Sequence, residues 1–195
     1  VDAVLIIARH GRTQANAQRL LVGRMDIPLD ETGERQAAAI GVALRNSVGP
    51  VRVVASPLMR TRATAEAIVA AIAGPVELSF DDRWLEVNYG EFDGSPLTDV
   101  PNEVWEHWRT DLGWTPPGGE SLRSVARRVR EACESLAADA IERDVIAVRH
   151  VSPIKAAVSR ALSGLAAAPL RVVCAVASLK RFRPSVVPRT LATSN

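Results

Sequence analysis

Two cysteines, three histidines and one tyrosine in 195 residues rule out several kinds of site at once. Cys133 and Cys174 form no Cys-x-x-Cys pair, which removes the usual redox and zinc spacings. Neither opens the Cys-x5-Arg loop of cysteine phosphatases: Asp139 and Lys180 stand where the arginine would be. Both read as buried thiols, one in a helix and one in an apolar run. His10, His107 and His150 are widely separated, with no close metal-ligand spacing among them. No apolar run approaches the ~20 residues of a membrane span. The chain enters a strand at once, without a charged leader and cleavage site, which predicts a cytoplasmic protein with no membrane partner. The formal net charge is +2, with no basic run and no interleaved aromatics, so nucleic acid is not an expected partner. Internal repeats and dividing linkers are also missing, which predicts one domain over residues 1–195.

What is present is ordinary globular material, 47% hydrophobic and 24% charged. The apolar run Val4–Ala8 stops at Arg9-His10-Gly11 and reads as a strand buried on both faces of a parallel sheet. Further strands are expected at Val51–Ala55, Val76–Phe80 and Val145–Val148, with a last candidate at Arg171–Ala177. Helices are expected from about Gly33 to Arg45, Leu58 to Ala71, Glu120 or Ser121 to Ala140, and Ser152 to Leu162, with shorter ones at Thr13–Arg19 and Thr98–Arg109. Thr32 is a candidate cap for the first long helix. Strands alternating with helices predict right-handed crossovers and an α/β fold of three layers, α/β/α, around a mostly parallel sheet. Residues 81–119 hold all four tryptophans, the tyrosine and many Gly and Pro residues. They read as an inserted cap or lid over one sheet edge, or as an aromatic minicore.

Three strand ends carry chemistry. Val4–Ala8 delivers Arg9 and His10, Val51–Ala55 delivers Arg60 after a Ser-Pro turn, and Val145–Val148 delivers His150. If the strands are parallel, all four side chains start from one sheet edge, where ligands bind in open α/β sheets. Arginine brings a forked cation and histidine a nucleophile or proton carrier near neutral pH, a combination suited to phosphate. Glu86 follows the third strand and is a candidate proton donor, with Glu91 and Asp93 as competitors.

The block Arg9-His10-Gly11, with Thr13 and Asn16, resembles the opening motif of the histidine phosphatase superfamily, also called phosphoglycerate mutase-like. The resemblance continues in order through residues 28–37, Ser56-Pro57-Leu58-Met59-Arg60 to Ala65, Leu85-Glu86 with Tyr89-Gly90, Pro117-Gly118-Gly119-Glu120-Ser121, and His150 ahead of Pro153-Ile154. It implies a phosphoglycerate mutase-like fold and a phosphoric monoester hydrolase of the histidine acid phosphatase type. His10 would take the phosphoryl group as a phosphohistidine. Arg9, Arg60 and a cationic His150 would bind that group, with Asn16 as a further donor. Glu86 would protonate the leaving oxygen and then activate water. No metal or cofactor is implied, and the partner would be a small phosphorylated metabolite.

The chain departs from the pattern around the second histidine, where Arg149 and Val151 replace the usual small residues. Arg149 either adds charge to the pocket or points away along the strand. The family also holds mutases, which usually carry a longer, basic insertion, whereas residues 94–118 contain one Arg and no Lys. That favours hydrolysis over mutase-type phosphoryl transfer. An inactive relative that binds a phosphorylated ligand is the reading from another class. Trp84, Tyr89, Trp105, Trp108 and Trp114 are candidates for an apolar leaving-group pocket. Val125, Val129 and Ala132 form a helix stripe that fits either the core or the partner of a homodimer.

Overall fold

A computed structural model describes residues 5–45, 51–153 and 180–182. The chain runs β1 (Leu5–Arg9), α1 (Gln14–Ala17), α2 (Glu31–Leu44), β2 (Val51–Ala55), α3 (Met59–Ala71), β3 (Val76–Phe80), α4 (Asn102–Thr110), α5 (Leu122–Glu142), β4 (Asp144–Arg149) and β5 (Lys180–Phe182). The sheet order is β3-β2-β4-β1-β5. The first four strands are parallel, and β5 pairs antiparallel with β1. β4 therefore slots between β2 and β1, with Arg9 opposite Arg149 and Ala55 opposite Val148.

Alternation along the strands sends side chains to two helical layers. Ile7, Val54, Val145 and Ala147 pack against Val125, Val129, Ala132 and Leu136 of α5. Ile6, Ala8, Val53, Ile146 and Val148 pack against Ile40 and Leu44 of α2 and Ala65 and Ile68 of α3. Each fully buried aliphatic side chain of these layers contributes roughly 1.5–3 kcal/mol. The three-layer α/β/α arrangement is thus present, and the α5 stripe is core. Cys133 packs half-buried against the same layer. No helix among the described residues is long and apolar enough to cross a membrane.

Several boundaries move for local reasons. Asp30, not Thr32, caps α2: its Oδ1 accepts the Gly33 amide at 2.8 Å, so the helix starts at Glu31. Pro101 delays α4 to Asn102. Gly33 allows α2 to pack onto the loop after β1, since a Cβ there would overlap the Arg12 carbonyl oxygen. The strand candidate Arg171–Ala177 and the helix beyond Pro153 lie outside the described residues.

Most of the aromatics form a third core. Trp108 is 7% exposed and meets Tyr89, Phe92 and Trp114 edge-on at centroid distances of 5.2, 6.4 and 5.5 Å. Leu21, Val100 and Val104 complete the cluster, with Trp105 and Trp114 packed against it. Trp84 lies fully buried in the α5 layer. Trp84 and Trp108 therefore pack as core rather than lining an open pocket: large apolar rings gain more from close packing than from facing water. Backbone pairing of Leu21 with Gly94 and Ser95 ties this segment to the loop after β1.

Trp108→Ala should cost about 3–5 kcal/mol of stability by opening a cavity. Urea unfolding should show this as a lower midpoint, while Leu112→Ala, at an exposed position, stays within about 0.5 kcal/mol of wild type. A Trp108→Ala protein of unchanged stability would contradict the minicore.

Candidate active site

The carboxyl ends of β1, β4 and β2 lie side by side, and each ends in a buried polar group. His10 directly follows β1 and is 4% exposed. Its amide donates to the Arg149 carbonyl at 3.1 Å, which fixes it against β4. Its ring Nδ1 lies 2.7 Å from the Gly11 carbonyl oxygen. A carbonyl only accepts, so Nδ1 carries the proton and the lone pair sits on Nε2. The Gly11 amide donates to Thr64 Oγ1 of α3 at 3.1 Å, and Thr64 donates to the Arg60 carbonyl.

His150, fully buried, follows β4. Its ring centroid is 5.1 Å from that of His10, and its Nε2 lies 3.0 Å from Ser56 Oγ at the end of β2. Its Nδ1 has no hydrogen-bond partner among the described residues. Burial, with the neighbouring His10 ring and the Arg60, Arg9 and Arg128 charges, holds His150 well below its ordinary value. Burial, then the Arg60 charge, lowers His10 to about 3. Both imidazoles are therefore neutral in the protein alone; the cationic His150 that the family resemblance implies is a state of the phosphoryl-bound site.

Arg60, in the first turn of α3, is 1% exposed. Its Nη1 donates to the Met25 carbonyl and its Nη2 to the Gly23 carbonyl, both at 2.7 Å. Asp93 holds the loop bearing those carbonyls, accepting the amides of Gly23, Arg24 and Met25 at 2.6, 3.0 and 3.2 Å. Asp93 is thus committed to backbone, and Glu91 is exposed.

Glu86 is the buried member of the three acids, 5% exposed. Its carboxylate accepts the Val87 amide at 2.8 Å and the Ser152 amide at 3.3 Å. Burial raises its pKa despite these bonds and the Arg60 charge, which favours the protonated form. Tyr89 Oη lies 3.3 Å from Ser152 Oγ on the same side.

The Asn16 side chain accepts the Thr13 amide at 3.2 Å in a capping box, so its oxygen works for α1. The half-buried Arg9 ends β1 with its strand partner Arg149 beside it. Arg149 points into the α5 layer, its guanidinium stacked 3.6 Å from the Trp84 ring centroid, which settles the question of its direction. Arg62 is exposed and lies over Phe80. Among the described residues no group of three His, Cys, Asp or Glu side chains is placed to hold a metal ion.

Sequence reasoning gave no role to Ser56, Thr64, Ser152, Glu120 or Arg128. Ser56, Thr64 and Glu120 lie in motif blocks, but their bonds depend on contacts between distant segments. Arg128 reads in sequence only as a polar position of an amphipathic helix.

The histidine phosphatase superfamily (branch 1) profile matches residues 5–192. The chain is 34% identical over 178 residues to the bifunctional protein Rv2228c of Mycobacterium tuberculosis, covering 90% of this chain and 48% of that one. It spans about half the length of the first curated relatives it matches. The fold superposes on a mycobacterial glucosyl-3-phosphoglycerate phosphatase with a TM-score of 0.69 and 30% identity, covering 83% of this chain and 80% of the other. For the phosphoglycerate mutase of Thermus thermophilus the TM-score is 0.70 and the identity 25%, covering 94% and 96%.

The lowered histidines have a measurable consequence. An unfolded chain protonates His10 near 6.5 and the folded protein only near 3. Between those values the unfolded chain binds more protons, so stability falls as pH is lowered. Glu86, raised, acts in the opposite sense and offsets part of the loss. Urea unfolding at pH 7 and pH 5 should show wild type losing roughly 1–2 kcal/mol more than His10→Asn across that interval. An identical pH dependence in both proteins would show that the environment of His10 does not penalise its charge.

Proposed function

The chain belongs to the histidine phosphatase superfamily, and we propose on that premise that it is a phosphomonoesterase working through a phosphohistidine at His10. The observation that carries the reading is the 2.7 Å contact between His10 Nδ1 and the Gly11 carbonyl oxygen. The Gly11 carbonyl holds the proton on Nδ1, leaving the Nε2 lone pair for phosphorus.

Arg9 and Arg60 bind the phosphoryl oxygens by charge-assisted hydrogen bonds. Arg60 arrives already oriented by the Gly23 and Met25 carbonyls. His150 Nδ1 is the ring nitrogen that faces a phosphoryl oxygen, and an arriving dianion favours uptake of a proton from solvent onto the ring, giving the cationic form. Nε2 of His10 bonds to phosphorus as the ester oxygen leaves, and protonated Glu86 gives that oxygen its proton. The resulting carboxylate takes a proton from water. The water oxygen then attacks phosphorus, the N–P bond breaks, and inorganic phosphate departs with Glu86 protonated again for the next cycle. The guanidinium groups supply the positive charge that a metal supplies in other phosphatases, so the reaction is metal-independent. Residues 81–119 serve as the cap over this site, and the substrate is a small phosphorylated metabolite.

Mutase-type phosphoryl transfer is the second reading, favoured by the likeness to the Thermus phosphoglycerate mutase over nearly the whole chain. The single Arg in residues 94–118 speaks for hydrolysis.

Hydrolysis of p-nitrophenyl phosphate with EDTA present separates these readings. Wild type should turn over without metal, and His10→Ala should lose at least roughly 1,000-fold in rate. Acid quench should trap a phosphorylated histidine in wild type alone. Phosphoglycerate mutase activity without ester hydrolysis would move the assignment to the second reading. Orthophosphate binding without either activity would mark an inactive relative.

A further inference from the structure

We propose that Arg128 and Glu120 are positioning residues for Glu86, a partly buried ion pair that clasps the backbone carrying the acid and ties it to the loop holding Arg60. The inference rests on the reading of Glu86 as the proton donor.

Residues 83–88 have little regular structure to occupy their carbonyls. One guanidinium takes three of them. Arg128 Nη1 donates to the Arg83 and Leu85 carbonyls at 2.8 and 2.6 Å, and Nη2 donates to the carbonyl of Glu86 itself at 3.2 Å. The same Nη2 lies 2.8 Å from Glu120 Oε1, and Nε lies 3.4 Å from Oε2. Both side chains are about 15% exposed. Glu120 Oε1 also accepts the Asn88 amide at 3.0 Å, closing the clasp on the far side of Glu86. Burial alone would raise the Glu120 carboxyl, but Arg128, the Asn88 amide and Arg24 outweigh it, and the group is ionised.

The third contact of Glu120 links the two halves of the site. Arg24 Nη2 reaches it at 3.1 Å, and Arg24 follows Gly23, whose carbonyl holds Arg60. The acid and the phosphate-binding cation are thus both referred to one carboxylate. A lysine at 128 would keep the charge but lacks the planar fork that spans three carbonyls and a carboxylate. Proton donation to a leaving oxygen is sensitive to displacements of about 1 Å, so a loosened clasp acts on the protonation step before phosphate binding.

Two aryl esters read that step. p-Nitrophenyl phosphate departs with little help from an acid, whereas phenyl phosphate needs its oxygen protonated. In Arg128→Met, kcat/KM for phenyl phosphate should fall roughly 30-fold and for p-nitrophenyl phosphate only about 3-fold. Arg128→Lys should fall between wild type and Arg128→Met, and it carries the test if the methionine variant does not fold. The orthovanadate inhibition constant should stay within about 3-fold, because its cationic contacts are intact. Equal losses on both esters would overturn the proposal. Amide hydrogen exchange at Val87 and Asn88 reads the clasp without turnover and should quicken in either variant. Unchanged exchange overturns the proposal even in an active enzyme. A wild type that hydrolyses neither ester overturns the phosphatase reading instead, and the exchange result then decides the clasp.

Discussion

A guanidinium almost shut off from water must be held by the protein, and much of this site follows from how Arg60 is held. The Gly23 and Met25 carbonyls take its two terminal nitrogens. Those carbonyls sit in irregular backbone, so their position has to be set by something else. Asp93 sets it from the aromatic segment, binding three successive amides. Asp26 sets it from the other side, accepting the Met59 amide at the start of α3, the helix that carries Arg60. Loop, helix and aromatic segment are thereby mutually dependent. Removing a partner would leave a buried charge or carbonyl without compensation, which is costly wherever water is excluded.

The same burial sets the proton states. Water exclusion disfavours the charged form of any titratable group, so it lowers histidines and raises carboxyls. His10 and His150 move down and Glu86 moves up. Arg60 strengthens the effect on the imidazoles and opposes it at Glu86, where burial prevails. A neutral nucleophile and an acid biased toward its protonated form arise from one cause, without a dedicated device for either.

Legibility in the sequence followed the range of the interactions. The four parallel strands were readable because each is an apolar run bounded by breakers. With parallel pairing their polar ends had to share an edge, which brought Arg9, His10, Arg60 and His150 together in advance. Glu86 could not be separated from Glu91 and Asp93, because the distinction is burial in one case and backbone binding in another. The tryptophans showed the same limit: aromatic residues in a Gly- and Pro-rich segment suit a pocket wall or a minicore equally well, and Trp84 and Trp108 went to cores. Asp30 displaces Thr32 as the α2 cap because the Gly33 amide lies three residues from the aspartate, a contact local enough to be legible in the sequence. Arg128 was not legible, since the carbonyls it binds lie about 40 residues away in the chain.

By itself, then, the sequence determined the elements, their alternation and the identities of the groups at the strand ends, because these depend on neighbours two to four residues apart. Only the tertiary structure decided that β4 enters between β1 and β2, putting His150 against His10 and Ser56. It also decided which acid is buried, that Arg149 turns into the core, and that Glu120 and Arg128 hold the Glu86 backbone. Each of these turns on desolvation by distant segments, and no pattern within a single segment encodes which other segment will exclude its water.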